Sequence, residues 1–335
     1  MRRIVLVLAL SPLVIGCSSH SATTGDGSQN GPSDGASPGD QAVGSDLALV
    51  DGAVGDGSAD TGALAGRPYT MNLHVPPSYN ANTAAPLLIM LHGYTASGPI
   101  EENYFQLTPV SDAHGFLYVY PDGTPDQSPN HYRFWNATDA CCDFYGAKPD
   151  DVGYIDAIVS DVEAKYNVDR KRIFLVGHSN GAFMAHRLAC DSADRFAGIV
   201  ALAGDTWKDQ SHCQPSGPIS VLEVQGNADA TVPYGGGPIY TGGPPAPGAV
   251  ETVGDWAKLN HCTGTLAATG QTLDLDSNLA GSETQVSAYA GCPTGAVELW
   301  TINGGSHIPA LRTTPGTIPT WGELVYGWLS AHPKP

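Results

Sequence analysis

Apolar and polar residues follow two recurring patterns between residues 69 and 331. Short continuous apolar runs predict strands that are buried on both faces of a sheet. Segments with apolar residues at intervals of three and four predict helices with one face against that sheet. The predicted strands are residues 71–75, 87–91, 117–120, 172–176, 198–203, 219–224 and 297–302. The predicted helices are residues 151–166, 182–189, 254–260 and 321–331.

The order of these elements predicts the fold class. Alternating strands and helices favour an α/β fold, with a mainly parallel sheet and helices on both faces, in one domain of residues 63–335. Such sheets bind ligands beyond the carboxyl ends of their strands. Residues 124–148 and 234–250 interrupt the alternation, and loops of that length are usually functional or disordered. We expect the first of them to form part of a substrate wall.

The N-terminal segment follows neither pattern. Residues 1–17 predict a signal peptide, because two arginines precede an apolar run too short to cross a membrane. The run ends at Cys17 in a sequence that resembles a bacterial lipobox, so we expect Cys17 to be lipidated; an ordinary signal peptide with a chance cysteine is the alternative. Residues 18–62 contain no aromatic residue and predict a disordered tether rich in Gly, Ser, Asp and Pro.

Composition excludes some partners. The net charge is −18, from 33 acidic and 15 basic residues, and the chain has no extended basic cluster. This balance argues against nucleic-acid binding and disfavours an anionic polymer as substrate. We expect a monomer that contacts a membrane only through the N-terminal lipid anchor.

Six cysteines remain besides Cys17, and an even number behind an export signal indicates disulfides and an extracytoplasmic location. The sequence alone does not choose among the 15 pairings that six cysteines permit. We expect Cys262 to pair with Cys292, since they bracket one local excursion, and Cys142 to pair with Cys190. The adjacent Cys141 and Cys142 are not expected to pair with each other. A zinc site is disfavoured because the chain has no C-x-x-C pair.

The most specific signal is a Gly-x-Ser-x-Gly sequence centred on Ser179, between a predicted strand and a predicted helix. This arrangement is typical of a nucleophile elbow, a tight turn that presents the serine hydroxyl above the sheet. Side chains at Gly177 and Gly181 would collide with neighbouring backbone in such a turn. The N–H of Asn180 would then lie at a helix start, where it can stabilise an oxyanion.

A serine hydroxyl becomes a nucleophile only beside a base that a third group orients. On this fold the chain order is serine, acid, histidine. His307 follows the last predicted strand and a glycine-containing loop, so it is the expected base. Asp229 follows the strand at residues 219–224 and is the expected acid, with Asp205, after the preceding strand, as the alternative.

The second oxyanion donor is expected on the loop after an early strand. His92 and Gly93 begin that loop, and the N–H of either Tyr94 or Thr95 would complete the pair with Asn180. The sequence does not decide between the two amides, because the choice depends on which one points inward. The proton transfers need only the triad and water, so no metal or organic cofactor is expected.

Many short motifs, taken together, resemble the secreted polyhydroxybutyrate depolymerase and feruloyl esterase family of α/β-hydrolases. The resemblance covers roughly residues 69–328 and implies ester hydrolysis through an acyl-enzyme on Ser179, with Asp229 and His307 at the family's acid and base positions. The chain departs from the family at Tyr94 and around His307. The motifs are His92-Gly93, Tyr120-Pro121-Asp122-Gly123, Trp135-Asn136, Cys141-Cys142, Asp151-Val152-Gly153-Tyr154-Ile155, residues 177–181, Leu188-Ala189-Cys190, Ala203-Gly204, residues 229–234 and residues 304–307.

Aromatic residues near the predicted site suggest the substrate. Tyr94, Trp135, Trp207 and Tyr234 are expected to bind it, since aromatic rings stack on phenolic groups and on sugar faces. A tethered extracytoplasmic esterase suits feruloyl or acetyl esters of plant cell-wall polysaccharide. A short-chain polyester such as polyhydroxybutyrate is the alternative substrate. A serine peptidase and a non-catalytic surface binding protein are further alternatives.

Overall fold

The computed structural model describes residue 64 and residues 66–335. The predicted signal peptide, Cys17 and the tether lie outside the described residues. The strands are β1 (Leu73–His74), β2 (Ala85–Leu91), β3 (Leu117–Val119), β4 (Thr124–Pro125), β5 (Arg133–Phe134), β6 (Val168–His178), β7 (Gly198–Leu202), β8 (Ser220–Gly226), β9 (Gly237–Pro238), β10 (Pro245–Ala246), β11 (Leu266–Leu273), β12 (Thr284–Tyr289) and β13 (Val297–Ile302). The α-helices are α1 (Gly98–Phe105), α2 (Thr108–His114), α3 (Asp151–Lys165), α4 (Asn180–Asp191), α5 (Ala249–Leu259) and α6 (Trp321–Ser330).

Nine strands form the main sheet in the order β1-β3-β2-β6-β7-β8-β13-β12-β11. The six strands from β3 to β13 run parallel. At one edge β1 pairs antiparallel with β3, and at the other edge β12 pairs antiparallel with both β13 and β11. The expected parallel α/β sheet is therefore confirmed for the centre, where the carboxyl ends of β2, β6, β8 and β13 lie along one edge.

Alternation within the buried strands builds two cores, one on each face of the sheet. In β2, Leu87, Ile89 and Leu91 pack into one core, whereas Leu88 and Met90 pack into the other. The first core is covered by α3, α4 and α5, and the second by α1, α2 and α6. A strand buried on both faces reads as one continuous apolar run, which explains why the central strands are visible in the sequence.

The structure also contains elements that the apolar pattern does not predict. Strand β11 is exposed at six of its eight positions, so it carries no strand-like alternation. Helices α1 and α2 have only eight and seven residues, and each begins with a proline in its first turn. Helix α5 begins five residues before the predicted segment, because the last residues of the second long loop are helical. No described helix has the length and apolarity that crossing a bilayer requires.

Three disulfides join the six cysteines of the described region. The bridge between Cys262 and Cys292 is present, as the sequence predicts. The predicted bridge between Cys142 and Cys190 is wrong. Cys190, at the end of α4, pairs with Cys213, whose Cα lies 4.8 Å away. The expectation that the adjacent Cys141 and Cys142 do not pair with each other is also wrong, since a disulfide joins them. The spacing of cysteines in the sequence does not show which of them lie close in space, because that depends on how the loop after β7 returns to α4.

Candidate active site

Ser179 occupies the sharp turn between β6 and α4. Its backbone angles are φ 53° and ψ −120°, a conformation that a residue with a side chain rarely adopts. The flanking glycines have a steric cause: a Cβ on Gly177 would lie 2.2 Å from the carbonyl oxygen of Gly181, and a Cβ on Gly181 would lie 2.0 Å from that of Leu91. Close backbone packing on both sides therefore holds the serine in its strained position.

His307 and Asp229 approach this serine from the loops after β13 and β8. The Nε2 of His307 lies 2.9 Å from the Oγ of Ser179, and its Nδ1 lies 2.8 Å from Oδ2 of Asp229. Because a carboxylate can only accept, Nδ1 carries the proton and Nε2 is free to accept from the serine hydroxyl. The three residues expected to form the triad thus lie in one hydrogen-bonded line, although 128 positions separate serine from histidine.

The carboxylate of Asp229 is fixed independently of the histidine. Its Oδ1 accepts hydrogen bonds from the backbone N–H groups of Thr231 and Val232, at 2.8 and 2.9 Å, and its side chain is fully buried. The alternative acid, Asp205, does not contact His307. Its Oδ1 accepts from the Thr252 hydroxyl at 3.2 Å, and burial raises the pKa of Asp205 to about 7.

The backbone N–H groups of Tyr94 and Thr95, the two candidates for the second oxyanion donor, have different environments. The N–H of Thr95 donates to the carbonyl oxygen of Arg133 at 3.0 Å, so it is already engaged. The N–H of Tyr94 has no acceptor among the described residues. On the other side of the serine, Asn180 begins α4, and its side chain exchanges hydrogen bonds with the backbone of Trp135 at 2.7 and 2.9 Å.

A buried ion pair lies behind the triad, and the sequence did not indicate it. The Nδ1 of His178 lies 3.1 Å from Oε1 of Glu101, and both residues are nearly inaccessible to solvent. Nε2 of the same ring lies 3.1 Å from the carbonyl oxygen of His307. Since both ring nitrogens face acceptors, this arrangement favours the doubly protonated, cationic form of His178.

The electrostatics of the pair agree with this geometry. Burial alone would lower the pKa of His178, but the carboxylate of Glu101 and the carbonyl of His307 raise this pKa above its ordinary value. Burial would likewise raise the pKa of Glu101, yet the His178 cation holds it below its ordinary value. The second oxygen of Glu101 accepts the N–H of Gly93 at 3.0 Å. The Glu101 carboxylate therefore contacts the loop after β2 and the elbow, and the His178 ring connects the elbow to the loop after β13 that carries His307.

A cleft of about 370 Å³ opens at Ser179 and His307. Its walls include Tyr94, Ile100 and Ile308. Tyr94 thus lines the cleft, while its role in substrate binding stays a prediction, and its hydroxyl donates to Oδ2 of Asp126 at 2.7 Å. That hydrogen bond fixes the ring against the cleft wall.

The other expected substrate contacts have different positions. The prediction for Trp135 is wrong: its side chain is fully buried, and its indole N–H donates to the carbonyl oxygen of His92 at 3.0 Å. Tyr234 is half-buried, and its hydroxyl lies 2.7 Å from Oγ1 of Thr301. Trp207 lines a separate, larger pocket beside the first long loop. Aromatic character alone did not distinguish a core residue from a cleft residue.

Known proteins resemble this chain in sequence and in fold. Residues 62–232 match the family model described as "Putative esterase". A feruloyl esterase B of Piromyces equi is 31% identical over 239 residues, which are 69% of this chain and 41% of the relative. A poly(3-hydroxyalkanoate) depolymerase C of Paucimonas lemoignei is 30% identical over 142 residues, which are 40% of this chain and 31% of the relative. The chain therefore spans less than half the length of each of these relatives.

Among solved structures, the acetyl xylan esterase from Aspergillus awamori superposes with a TM-score of 0.53 at 16% sequence identity. The superposition covers 77% of this chain and 92% of that one, and it shows a shared α/β-hydrolase fold. Among residues 64 and 66–335, no group of three or more His, Cys, Asp or Glu side chains has the arrangement of a metal site.

Proposed function

Because the chain belongs to the esterase family, we propose that it is a serine hydrolase that cleaves carboxylic esters through an acyl-enzyme on Ser179. One observation carries this proposal: the imidazole of His307 lies within hydrogen-bond distance of both the Ser179 hydroxyl and the Asp229 carboxylate. A general base must lie that close to the proton that it removes.

The proposed reaction has two halves. Nε2 of His307 removes the proton from the Ser179 hydroxyl while Oγ attacks the ester carbonyl carbon, and Asp229 stabilises the resulting imidazolium. The imidazolium then gives that proton to the departing alcohol oxygen, which leaves an acyl group on Ser179. In the second half the same nitrogen takes a proton from water, the hydroxide attacks the acyl carbon, and the acid is released as Ser179 regains its proton.

The backbone amides of Asn180 and Tyr94 are proposed to bind the oxyanion of each tetrahedral intermediate. Asn180 lies at the start of α4, where the N–H has no helical partner and the helix dipole favours negative charge. Tyr94 is preferred to Thr95 because the Thr95 N–H already donates to Arg133. One such donor contributes about 3–4 kcal/mol to transition-state stabilisation.

The proposed substrates are feruloyl or acetyl esters of plant cell-wall polysaccharide. The similarity to a feruloyl esterase over 69% of this chain supports this choice. The apolar wall of the cleft, formed by Tyr94, Ile100 and Ile308, suits an aromatic or short acyl group. The similarity to a poly(3-hydroxyalkanoate) depolymerase over 40% of the chain supports a short-chain polyester as the second candidate.

The three disulfides fit an extracytoplasmic compartment, where oxidising conditions keep such bonds intact. We propose further that Cys17 is lipidated and that residues 18–62 hold the domain away from a membrane surface. Mass spectrometry of the mature N-terminus tests the anchor, which requires a diacylated Cys17 as first residue. A mature chain that begins after Cys17 would contradict it.

Labelling with a fluorophosphonate probe tests the nucleophile. We expect covalent labelling of the wild-type protein and none of Ser179→Ala, because the probe reacts only with an activated serine. His307→Ala is expected to lose labelling and nearly all turnover of an activated ester while its thermal unfolding stays cooperative. An unlabelled wild-type protein would favour the non-catalytic binder. Release of ferulate from methyl ferulate, compared with release of 3-hydroxybutyrate from its oligomers, then decides between the two substrate classes.

A further inference from the structure

The exposed aromatic side chains of the described region lie on the two long loops. The large apolar side chains that are more than a third exposed include four aromatic ones: Tyr132, Phe144, Tyr145 and Tyr240. The first three belong to the loop at residues 124–148, and Tyr240 belongs to the loop at residues 234–250. Exposed aromatic rings that cluster in this way mark a binding surface more often than chance exposure does.

Three of these rings connect to the catalytic cleft through Tyr94. The Tyr94 ring lies 6.0 Å from that of Tyr132 and 5.1 Å from that of Phe144, and the Phe144 ring lies 5.1 Å from that of Tyr240. The contacts are edge-to-face, with interplanar angles of 68°, 86° and 85°. We call Tyr94, Tyr132, Phe144 and Tyr240 the aromatic rim. The rim forms a continuous path of ring contacts that begins at Tyr94, in the wall of the cleft, and passes through Phe144 to Tyr240.

The path ends at a pocket of about 570 Å³, which we call the bowl. Phe144, Trp207 and Tyr240 line it together with charged side chains that include Asp139 and Lys148. Both of these charged residues are exposed, and neither side chain makes a hydrogen bond or an ion pair with the described residues. The bowl therefore combines aromatic rings with the Asp139 carboxylate, which can accept hydrogen bonds, and the Lys148 ammonium, which can donate them.

We propose that the bowl and the aromatic rim bind neutral sugar units of the polysaccharide that carries the ester; this inference rests on the proposed function. Sugars stack their C–H faces on aromatic rings and direct their hydroxyls, which donate and accept, towards polar groups at the edges. The volume lies within the range of about 300–1,000 Å³ that is usual for ligand pockets. A polyester carries acceptors only, so it would leave the Asp139 carboxylate unmatched, and the net charge of −18 disfavours an acidic polymer.

The double variant Phe144→Ala/Tyr240→Ala tests the bowl in the full chain. The measured quantity is the ratio of kcat/KM for a feruloylated arabinoxylan oligosaccharide to kcat/KM for methyl ferulate. We expect this ratio to fall by about 10-fold, mainly through KM for the oligosaccharide, because each lost ring contact weakens binding severalfold. Met71→Ala is the matched control, since Met71 is 89% exposed and lines neither pocket. An unchanged ratio would overturn the inference.

Direct binding separates this inference from the proposed function. In Ser179→Ala, calorimetry with ester-free xylohexaose should detect binding that Phe144→Ala/Tyr240→Ala abolishes. This measurement needs no turnover. A protein inactive on every ester would therefore contradict the proposed function, while xylohexaose binding would still decide whether the sugar site exists. Absence of xylohexaose binding would overturn the inference even if methyl ferulate is hydrolysed. Rim-dependent adsorption to poly(3-hydroxybutyrate) granules without xylohexaose binding would reassign the surface to a polyester.

Discussion

Two regions meet at Ser179, and they are built in opposite ways. Behind the serine, the charged side chains of Glu101, His178 and Asp229 are buried, and each has partners within about hydrogen-bond distance. In front of it, Phe144 and Tyr240 are 43% and 40% exposed and contact mainly other rings. The first region is held by directional bonds in a low-dielectric interior, and the second by weak contacts open to solvent.

This difference separates two tasks. Directional contacts between buried groups can hold reacting atoms within a fraction of an ångström, which proton transfer from Ser179 to His307 requires. Ring faces on long loops can accommodate ligands of different shape, because stacking tolerates small displacements. Substitutions behind the serine should therefore change kcat for every ester alike. Substitutions in the aromatic rim should change the relative rates of different esters.

The largest effect is expected for Asp229→Asn. The asparagine keeps the shape of the side chain but removes the negative charge that fixes the tautomer of His307 and stabilises its protonated form. We expect kcat for an activated ester to fall by about 10,000-fold, with little change in KM. Steady-state kinetics with p-nitrophenyl acetate measure this directly.

Asp205→Asn is the matched control for Asp229→Asn, since Asp205 is the other buried aspartate that follows a central strand. It should keep kcat within a few-fold of the wild-type value. Loss of activity in Asp205→Asn together with full activity in Asp229→Asn would move the acid to Asp205 and reverse our assignment.

A smaller effect on kcat is expected for Glu101→Gln. The neutral amide removes the carboxylate charge, so His178 becomes a neutral ring that accepts from the amide NH2 at Nδ1 and donates from Nε2 to the carbonyl of His307. These neutral hydrogen bonds are weaker than the ion pair, so the loop that carries His307 is held less firmly, and displacement of a catalytic group by about 1 Å costs on the order of 100-fold in rate. We expect that loss in kcat with an equal effect on acetyl and feruloyl esters. A loss confined to one acyl group would place Glu101 in substrate recognition instead.

The pair of Glu101 and His178 should also make the free energy of unfolding depend on pH. The pKa of Glu101 is lowered in the folded state, so its contribution is lost as the pH falls through that pKa; the pKa of His178 is raised, so its contribution is lost as the pH rises through that pKa. Stability should therefore be greatest between the two values. Loss of one charge of a buried pair costs at most about 3–5 kcal/mol, a value reached when the partner stays charged, whereas an exposed pair contributes about 0–1 kcal/mol. Urea unfolding of Glu101→Gln against Glu323→Gln, whose partner His114 is 41% exposed, measures the contrast.

The sequence predicted those parts of the molecule that depend on short segments. The elbow is one contiguous motif, and Asp229 and His307 each follow a buried strand whose apolar run is visible. Glu101 was missed because α1 is short and its partner His178 lies 77 positions later, with no local pattern to connect them. Trp135 was misplaced for a related reason: an aromatic residue in a long loop has the same sequence signature whether its ring faces the core or the cleft.

Cysteine pairing shows the same limit. Cys262 and Cys292 flank a single excursion that contains β11 and β12, so their proximity follows from local topology. The pairing of Cys190 with Cys213 depends on the path of the loop after β7, which no periodicity encodes. Contacts that depend on the path of irregular backbone can be identified only from the structure. Contacts between the ends of regular elements can be predicted from the order of those elements in the sequence.

The smallest effect on kcat is expected for Asp205→Asn, and its main consequence is for stability. Glu101 and Asp205 are both buried carboxyl groups, but only Glu101 has a cation beside it. Burial raises the pKa of Asp205 to about 7 from an ordinary value of 3.8, so the folded protein keeps a proton that the unfolded chain loses between about pH 4 and pH 7. The free energy of unfolding should fall in that window by at most about 1.4 kcal/mol per pH unit for this group.

Asparagine imitates the protonated carboxyl and does not titrate, so Asp205→Asn should show a flatter dependence over the same range, with wild-type stability near pH 4 and higher stability near pH 7. Urea unfolding at several pH values measures this, with the exposed Asp194→Asn as control. Parallel curves for the wild type and Asp205→Asn would mean that Asp205 is ionised in the folded protein. The interior behind the serine would then tolerate an unpaired charge, and the contrast with the paired Glu101 would fail.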